Sequence, residues 1–178
     1  MATKFALGFW RLADPKISLA SAAGMLLGAS SAAVAGPIAV GWLLLTVLGI
    51  FAVEVAKNAS GEVFDWDSGT DLRIRDEDRS PFSGGKRVLV DALLTRRQAW
   101  GIAIGGYLLG AVAGMIIAGW REPSVAWFGL AGMACAFFYH APPFRLSYRG
   151  LGELAVAVAY GPLVTAGTFL VQRGTIPT

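Results

Sequence analysis

Apolar residues fall into five runs long enough to be read as membrane-crossing helices, at about 17–36, 38–57, 99–119, 124–141 and 151–171. A spanning helix needs roughly 20 apolar residues. None of the runs holds an internal lysine or arginine, and Glu54, Glu153 and His140 fall toward their ends. A long polar stretch separates the second run from the third and carries most of the charge. The pattern predicts an all-α integral membrane fold, a single membrane domain over 1–178. The first run is too long for a signal-peptide core, and the stretch before it is mixed, with Phe5, Phe9, Trp10 and Asp14.

Composition agrees. The chain is 55% hydrophobic and 15% charged, with a mean hydropathy of +0.58. Soluble domains carry about 25% charged residues. The lone Cys135 excludes an internal disulfide.

The basic residues set a topology. All of the 15 except Arg121 and Arg173 fall before the first run, between the second and third, or between the fourth and fifth. Basic loops stay cytoplasmic. The N-terminus, the long polar loop and the loop holding Pro142-Pro143 are therefore expected inside, and the C-terminus outside. The sequence pI of 9.3 restates this bias and does not point to nucleic acid. Trp42, Trp100, Trp120 and Trp127 sit near run ends, as an interfacial belt would. Gly101, Gly105, Gly106, Gly110 and Gly114 suggest close helix packing along the third run.

The chemistry gathers in two loops. In the string from Lys57 to Asp71 the second helix can run on, because no breaker precedes Gly61. Asn58, Glu62 and Asp65 then fall at i, i+4 and i+7 on one face. Ser68-Gly69 ends the helix, and Asp71 can fold back. Oxygen ligands without histidine or cysteine suit a hard cation, and Mg²⁺ commonly takes one or two carboxylates plus substrate phosphates. Arg79, Lys86 and Arg87 follow closely, around the Ser83-Gly84-Gly85 turn, as an anionic ligand would require. A solvated juxtamembrane loop of mixed charge is the alternative. The second loop runs from Tyr139 to Glu153. Pro142-Pro143 ends the fourth helix, which places Tyr139, Arg145 and Arg149 on the same membrane side. Simple positive-inside anchoring would also account for the two arginines. A lone His140 at a span end is read as structural.

Together these strings resemble the UbiA superfamily of intramembrane prenyltransferases, and most of all its 1,4-dihydroxy-2-naphthoate polyprenyltransferase type. The matching residues are Asn58, Gly61, Glu62, Asp65, Gly69 and Asp71, then 79–85, then Tyr139, Pro142, Pro143, Arg145 and the run from Ser147 to Glu153. The resemblance extends from about residue 15 onward. It implies Mg²⁺-dependent transfer of an isoprenyl chain from its diphosphate to an aromatic or other lipophilic acceptor, as in quinone biosynthesis. By position, Asn58, Glu62, Asp65 and Asp71 would hold the metal, with Glu62 and Asp65 as the catalytic pair. Asn58, Arg79, Lys86, Arg87, Tyr139, Arg145 and Arg149 would bind the diphosphate. A bacterial inner membrane is the implied location.

The chain departs from the family pattern in three ways. Gly61-Glu62 stands where Asn-Asp is usual, and Arg145 stands where Lys is common. The family's nine spans and second acidic motif are not all present, so the chain resembles a first half. It is expected to lack prenyl transfer alone, and to be part of a longer enzyme, to act beside a second chain, or to be a remnant. A non-enzymatic assembly partner or small transporter subunit is the competing expectation.

Overall fold

The computed structural model describes residues 2–16, 18–75, 77 and 85–174. Every element among them is helical: α1 (Ala2–Ala13), α2 (Ser18–Ala33), α3 (Val40–Ser68), α4 (Thr70–Arg73), α5 (Arg96–Trp120), α6 (Val125–Phe138), α7 (Gly152–Val158) and α8 (Val164–Arg173). A short 3₁₀ turn, Leu146–Arg149, precedes α7.

Three helices are long and apolar enough to cross a membrane: Val40–Ser68, Arg96–Trp120 and the continuous rod Gly152–Arg173. The other two expected spans appear as shorter apolar helices, α2 of 16 residues and α6 of 14. The count of five full spans therefore stands as three plus two shorter helices. In α6 the difference arises at its end. The apolar run continues to Ala141, but Pro142-Pro143 disfavours helical geometry in what precedes it, and the helix stops at Phe138.

Within the rod, Pro162 cannot donate to the helical ladder. The backbone widens into a π turn over Ala159–Leu163 and then resumes as α8. α5 begins on a capping box. The Gln98 amide donates to Thr95 Oγ1 at 3.2 Å, and the Thr95 amide donates to Gln98 Oε1 at 2.8 Å. α3 runs unbroken for 29 residues and ends at Gly69, whose φ of 75° suits glycine and whose amide turns back to the carbonyls of Asp65 and Trp66.

α3 and α5 form the central pair. A Cβ on Gly106 would lie 2.6 Å from the Ala52 carbonyl oxygen, and one on Gly110 would strike Val53. These two glycines let the backbones approach. Gly101, Gly105 and Gly114 meet nothing within 4 Å, so packing involves only part of the expected glycine stripe. A comparable pair the periodicity did not single out, Gly24 and Gly28 of α2, packs on the backbone at Tyr160 and Thr165.

At one end of the bundle, Leu12, Ala59, Val63, Val88, Leu89, Leu94, Ala99 and Ala103 form a buried apolar cluster. It clamps the 88–94 segment onto α1, α3 and α5. Each fully buried Val or Leu there contributes roughly 1.5–3 kcal/mol. At the opposite end the Arg121 guanidinium caps α8, with Nε donating to the Val171 carbonyl at 2.9 Å and an Nη to that of Gln172 at 2.8 Å.

Candidate functional site

The three basic loops meet at the end of the bundle held by the Leu12–Val88 cluster. Asn58 is buried, and its amide donates to the Leu12 carbonyl at 2.7 Å, tying α1 to α3. Lys86 pairs with Asp14. The Tyr148 hydroxyl donates to Asp65 Oδ1 across 83 residues.

Asn58, Glu62 and Asp65 share a face of α3 as their spacing predicts, but their polar ends serve different partners. Glu62 is 3% exposed. Its Oε1 accepts from the backbone amides of Lys86 and Arg87, the latter at 2.8 Å, and its Oε2 accepts from that of Val88 at 2.7 Å. Both oxygens are thereby engaged in fixing the basic loop. Arg87, at φ 50°, has Nε 3.7 Å from Asp91 Oδ1 and an Nη 3.4 Å from the Asp71 carbonyl. Asp71 is buried, and Gly85 packs directly on its carboxylate. Arg79 and the Ser83-Gly84 part of the turn lie outside the described residues.

Asp65 faces the Pro-Pro loop. Besides Tyr148, it has His140 Nε2 at 3.7 Å. Burial, and then donation to Asp65, push the Tyr148 phenol above its ordinary pKa, so it stays a donor at neutral pH. A Cβ on Gly61 would lie 2.6 Å from the His140 ring, so the bare α3 backbone here makes the seat for the imidazole. Tyr139 receives the Lys57 ammonium 4.9 Å from its ring centroid. The two arginines of this loop turn elsewhere. Arg145 lies 5.8 Å from the Tyr148 ring, and Arg149 donates to the Pro143 carbonyl at 3.0 Å.

Inward from these loops lies a cavity of about 180 Å³ between α3, α5, α6 and the α7–α8 rod. α3 lines it with Thr46, Gly49, Ile50, Val53, Glu54 and Lys57, a stripe at helical spacing. The walls are mostly apolar. Polar groups enter from Glu54, Lys57, Tyr139 and Tyr160. Asp65 lies about three turns beyond Glu54 and nearly in phase with it along α3.

Sequence reasoning placed Glu54 and Lys57 at a span end and gave them no role, and it did not single out Tyr148 or Tyr160. One signal was available for the first two. Ionisable residues inside a membrane span are costly to keep there without a role, and these two continue the phase of the apolar stripe.

The oxygen donors Asn58, Glu62, Asp65 and Asp71 have the chemistry of a hard-cation site. Among the described residues no three acidic, histidine or cysteine side chains converge as a cage. Mg²⁺ does not need one where substrate phosphates complete its shell. The donor set is compatible with such a shared ion, with Asp65 rather than the amide-engaged Glu62 best placed to contribute.

Along 128 residues the chain is 32% identical to a 2-carboxy-1,4-naphthoquinone phytyltransferase of Synechocystis sp., covering 71% of this chain and 38% of that protein. It is 32% identical over 135 residues to a 1,4-dihydroxy-2-naphthoate octaprenyltransferase of Mycobacterium tuberculosis, covering 75% and 44%. It is 24% identical over 167 residues to the Bacillus subtilis protein of that name, covering 94% and 51%. The chain thus spans about half or less of the curated relatives it matches. In each, the matched stretch belongs to one longer polypeptide, which gives no support to a second chain. No solved structure matches it. The model of the UbiA prenyltransferase family matches residues 21–178. With its apolar helices, this chain is an integral membrane protein belonging to the UbiA prenyltransferase family.

Proposed function

We propose that this chain carries the diphosphate-binding part of an enzyme that transfers an isoprenyl chain to an aromatic, naphthoate-type acceptor in a bacterial inner membrane. The observation that supports it best is one continuous arrangement. An apolar cavity among four helix segments is lined by an α3 stripe whose continuation reaches Asp65, where the basic loops meet. An isoprenyl diphosphate has the matching polarity, greasy at one end and anionic at the other.

In this reading the cavity holds the tail and excludes water from the allylic cation left when the C–O bond breaks. The ring carbon of the acceptor then attacks and loses its proton. Lys86 and Arg87, held in place by Glu62, bias the loop end toward the departing diphosphate, with Tyr139 on the other loop; Arg145 and Arg149 join them only by leaving the Tyr148 ring and the Pro143 carbonyl. Mg²⁺, when bound, neutralises diphosphate charge; Asp65, with Asn58 and Asp71 as further oxygen donors, would hold it. By the positive-inside rule the loop end faces the cytoplasm.

The test is Mg²⁺-dependent binding of a non-hydrolysable isoprenyl thiolodiphosphate to the purified chain in detergent. Asp65→Ala should weaken it at least about tenfold, the scale of one lost charge-assisted interaction. Equal binding by wild type and variant would overturn the assignment.

A further inference from the structure

Glu54 lies in the middle of α3, on the wall of the apolar cavity, and only 6% of it is exposed. Ser18 Oγ donates to its Oε2 at 2.7 Å. Its Oε1 is buried and accepts no hydrogen bond from the described residues. The Tyr160 hydroxyl, carried into the cavity by the π turn, is a second hydrogen-bonding neighbour of the carboxylate beside Ser18, and Oε1 is the oxygen left without a partner. A buried acceptor left open in apolar surroundings is unfavourable, and a ligand donor would relieve it.

One turn along the same face, Lys57 also lines the cavity. Its ammonium rests against the Tyr139 ring, and it makes no ion pair within 4.0 Å among the described residues. An ammonium has three donors, so Lys57 has capacity to spare. Residues at i and i+3 stand about 5–6 Å apart. The wall therefore offers an open acceptor beside an available cation, at a spacing that matches the edge of an aromatic ring bearing a hydroxyl next to a carboxylate. The wall contributed by α5 and α6 includes Gly110, Gly114, Gly129 and Gly132, which leave room for a flat ring.

We propose that Glu54 and Lys57 orient the acceptor: a ring hydroxyl donates to Glu54 Oε1, and the adjacent carboxylate pairs with the Lys57 ammonium. This rests on the prenyltransferase reading and adds to it a specificity. An acceptor lacking either the hydroxyl proton or the carboxylate charge is rejected, because a site group is then left buried and unmatched. The two residues act by positioning and take no part in breaking the C–O bond.

The test uses three fluorescent naphthalene probes with the purified chain in detergent: 1-hydroxy-2-naphthoate, its 1-methoxy analogue and its 2-carboxamide analogue. Wild type should bind the hydroxy acid at least about tenfold tighter than either analogue. Glu54→Leu should close the hydroxy-over-methoxy gap and leave the acid-over-amide gap. Lys57→Met should do the reverse. Each comparison is a ratio within one variant, so a general loss of affinity does not imitate it. If Glu54→Leu does not fold, Glu54→Gln serves, with the hydroxy-over-methoxy gap narrowed.

Equal binding of all three probes by wild type, or gaps unchanged in the variants, overturns the proposal. Thiolodiphosphate binding measured alongside separates the two ideas. Asp65-dependent diphosphate binding with no probe discrimination sinks the acceptor site alone. Probe discrimination without Asp65-dependent binding sinks the diphosphate assignment instead.

Discussion

Glu62 makes the most severe local prediction. Its carboxylate is the acceptor for three consecutive backbone amides, those of Lys86, Arg87 and Val88. The Val88 bond is buried, whereas the other two are partly exposed. A buried donor stripped of a charged acceptor loses about 2–3 kcal/mol, while the outer two can turn to water and lose about 1 kcal/mol each. Glu62→Ala should therefore loosen the 86–88 segment by about 4 kcal/mol. Glu62→Gln, which keeps one good acceptor oxygen, should cost about half as much. Hydrogen exchange is the direct assay. In Glu62→Ala the Val88 amide should exchange about 500–1,000-fold faster, since about 4 kcal/mol at 1.4 kcal/mol per factor of ten is nearly three powers of ten, while amides in the middle of α5 stay protected. Exchange of 86–88 within twofold of wild type would refute the reasoning. It would mean that the apolar clamp of Val88, Leu89 and Leu94 holds the segment without help.

Further outcomes follow from the packing. Gly61→Ala should destabilise the chain by about 1–3 kcal/mol by pressing a methyl group into the His140 ring; pairing it with His140→Ala should recover most of the melting temperature, and failure of that rescue would remove His140 as the cause. Gly106→Leu should drive α3 and α5 apart and lower the melting temperature sharply, whereas Gly101→Leu, with nothing within 4 Å, should leave it within about a degree. Arg121→Met should lose about 2–3 kcal/mol by leaving the α8 carbonyls of Val171 and Gln172 uncapped, visible as faster exchange at the α8 end; unchanged protection there would count against the cap.

Much of the architecture was legible because it depends on local chemistry. The helix end at Ser68-Gly69, the helical phase of Asn58, Glu62 and Asp65, and the grouping of the basic loops all follow from spacing and from glycine and proline behaviour. The partners of those side chains were not legible. Phase can say that Glu62 and Asp65 share a face, but not that the first turns to the amides of 86–88 and the second to Tyr148. Those choices depend on how the polar loop folds back, and a stretch of mixed charge has many ways to do so. Hydropathy similarly counted residues 139–141 as membrane because they hold no lysine, arginine or acid, while the two prolines that follow end the helix at Phe138. Glycine spacing along α5 offered several contact registers, and Gly106 and Gly110 were chosen by where Ala52 and Val53 of the neighbouring helix lie. Glu54 and Lys57 were discounted for lying near a span end. Yet the helix continues eleven residues beyond Lys57, as the string up to Ser68-Gly69 had already indicated, so they occupy its interior.

That continuation makes α3 a rigid spacer. At 1.5 Å per residue its 29 residues extend about 43 Å, well beyond the roughly 30 Å of bilayer hydrocarbon. Lys57 and Asp65 are then held about 12 Å apart along one uninterrupted hydrogen-bond ladder. Loop changes cannot retune that separation. A single residue inserted between them would lengthen it only slightly but would swing everything beyond it by about 100° around the axis. The two ends of the site are thus coupled by angle more tightly than by distance, and a whole-turn insertion should be tolerated better than a one-residue insertion.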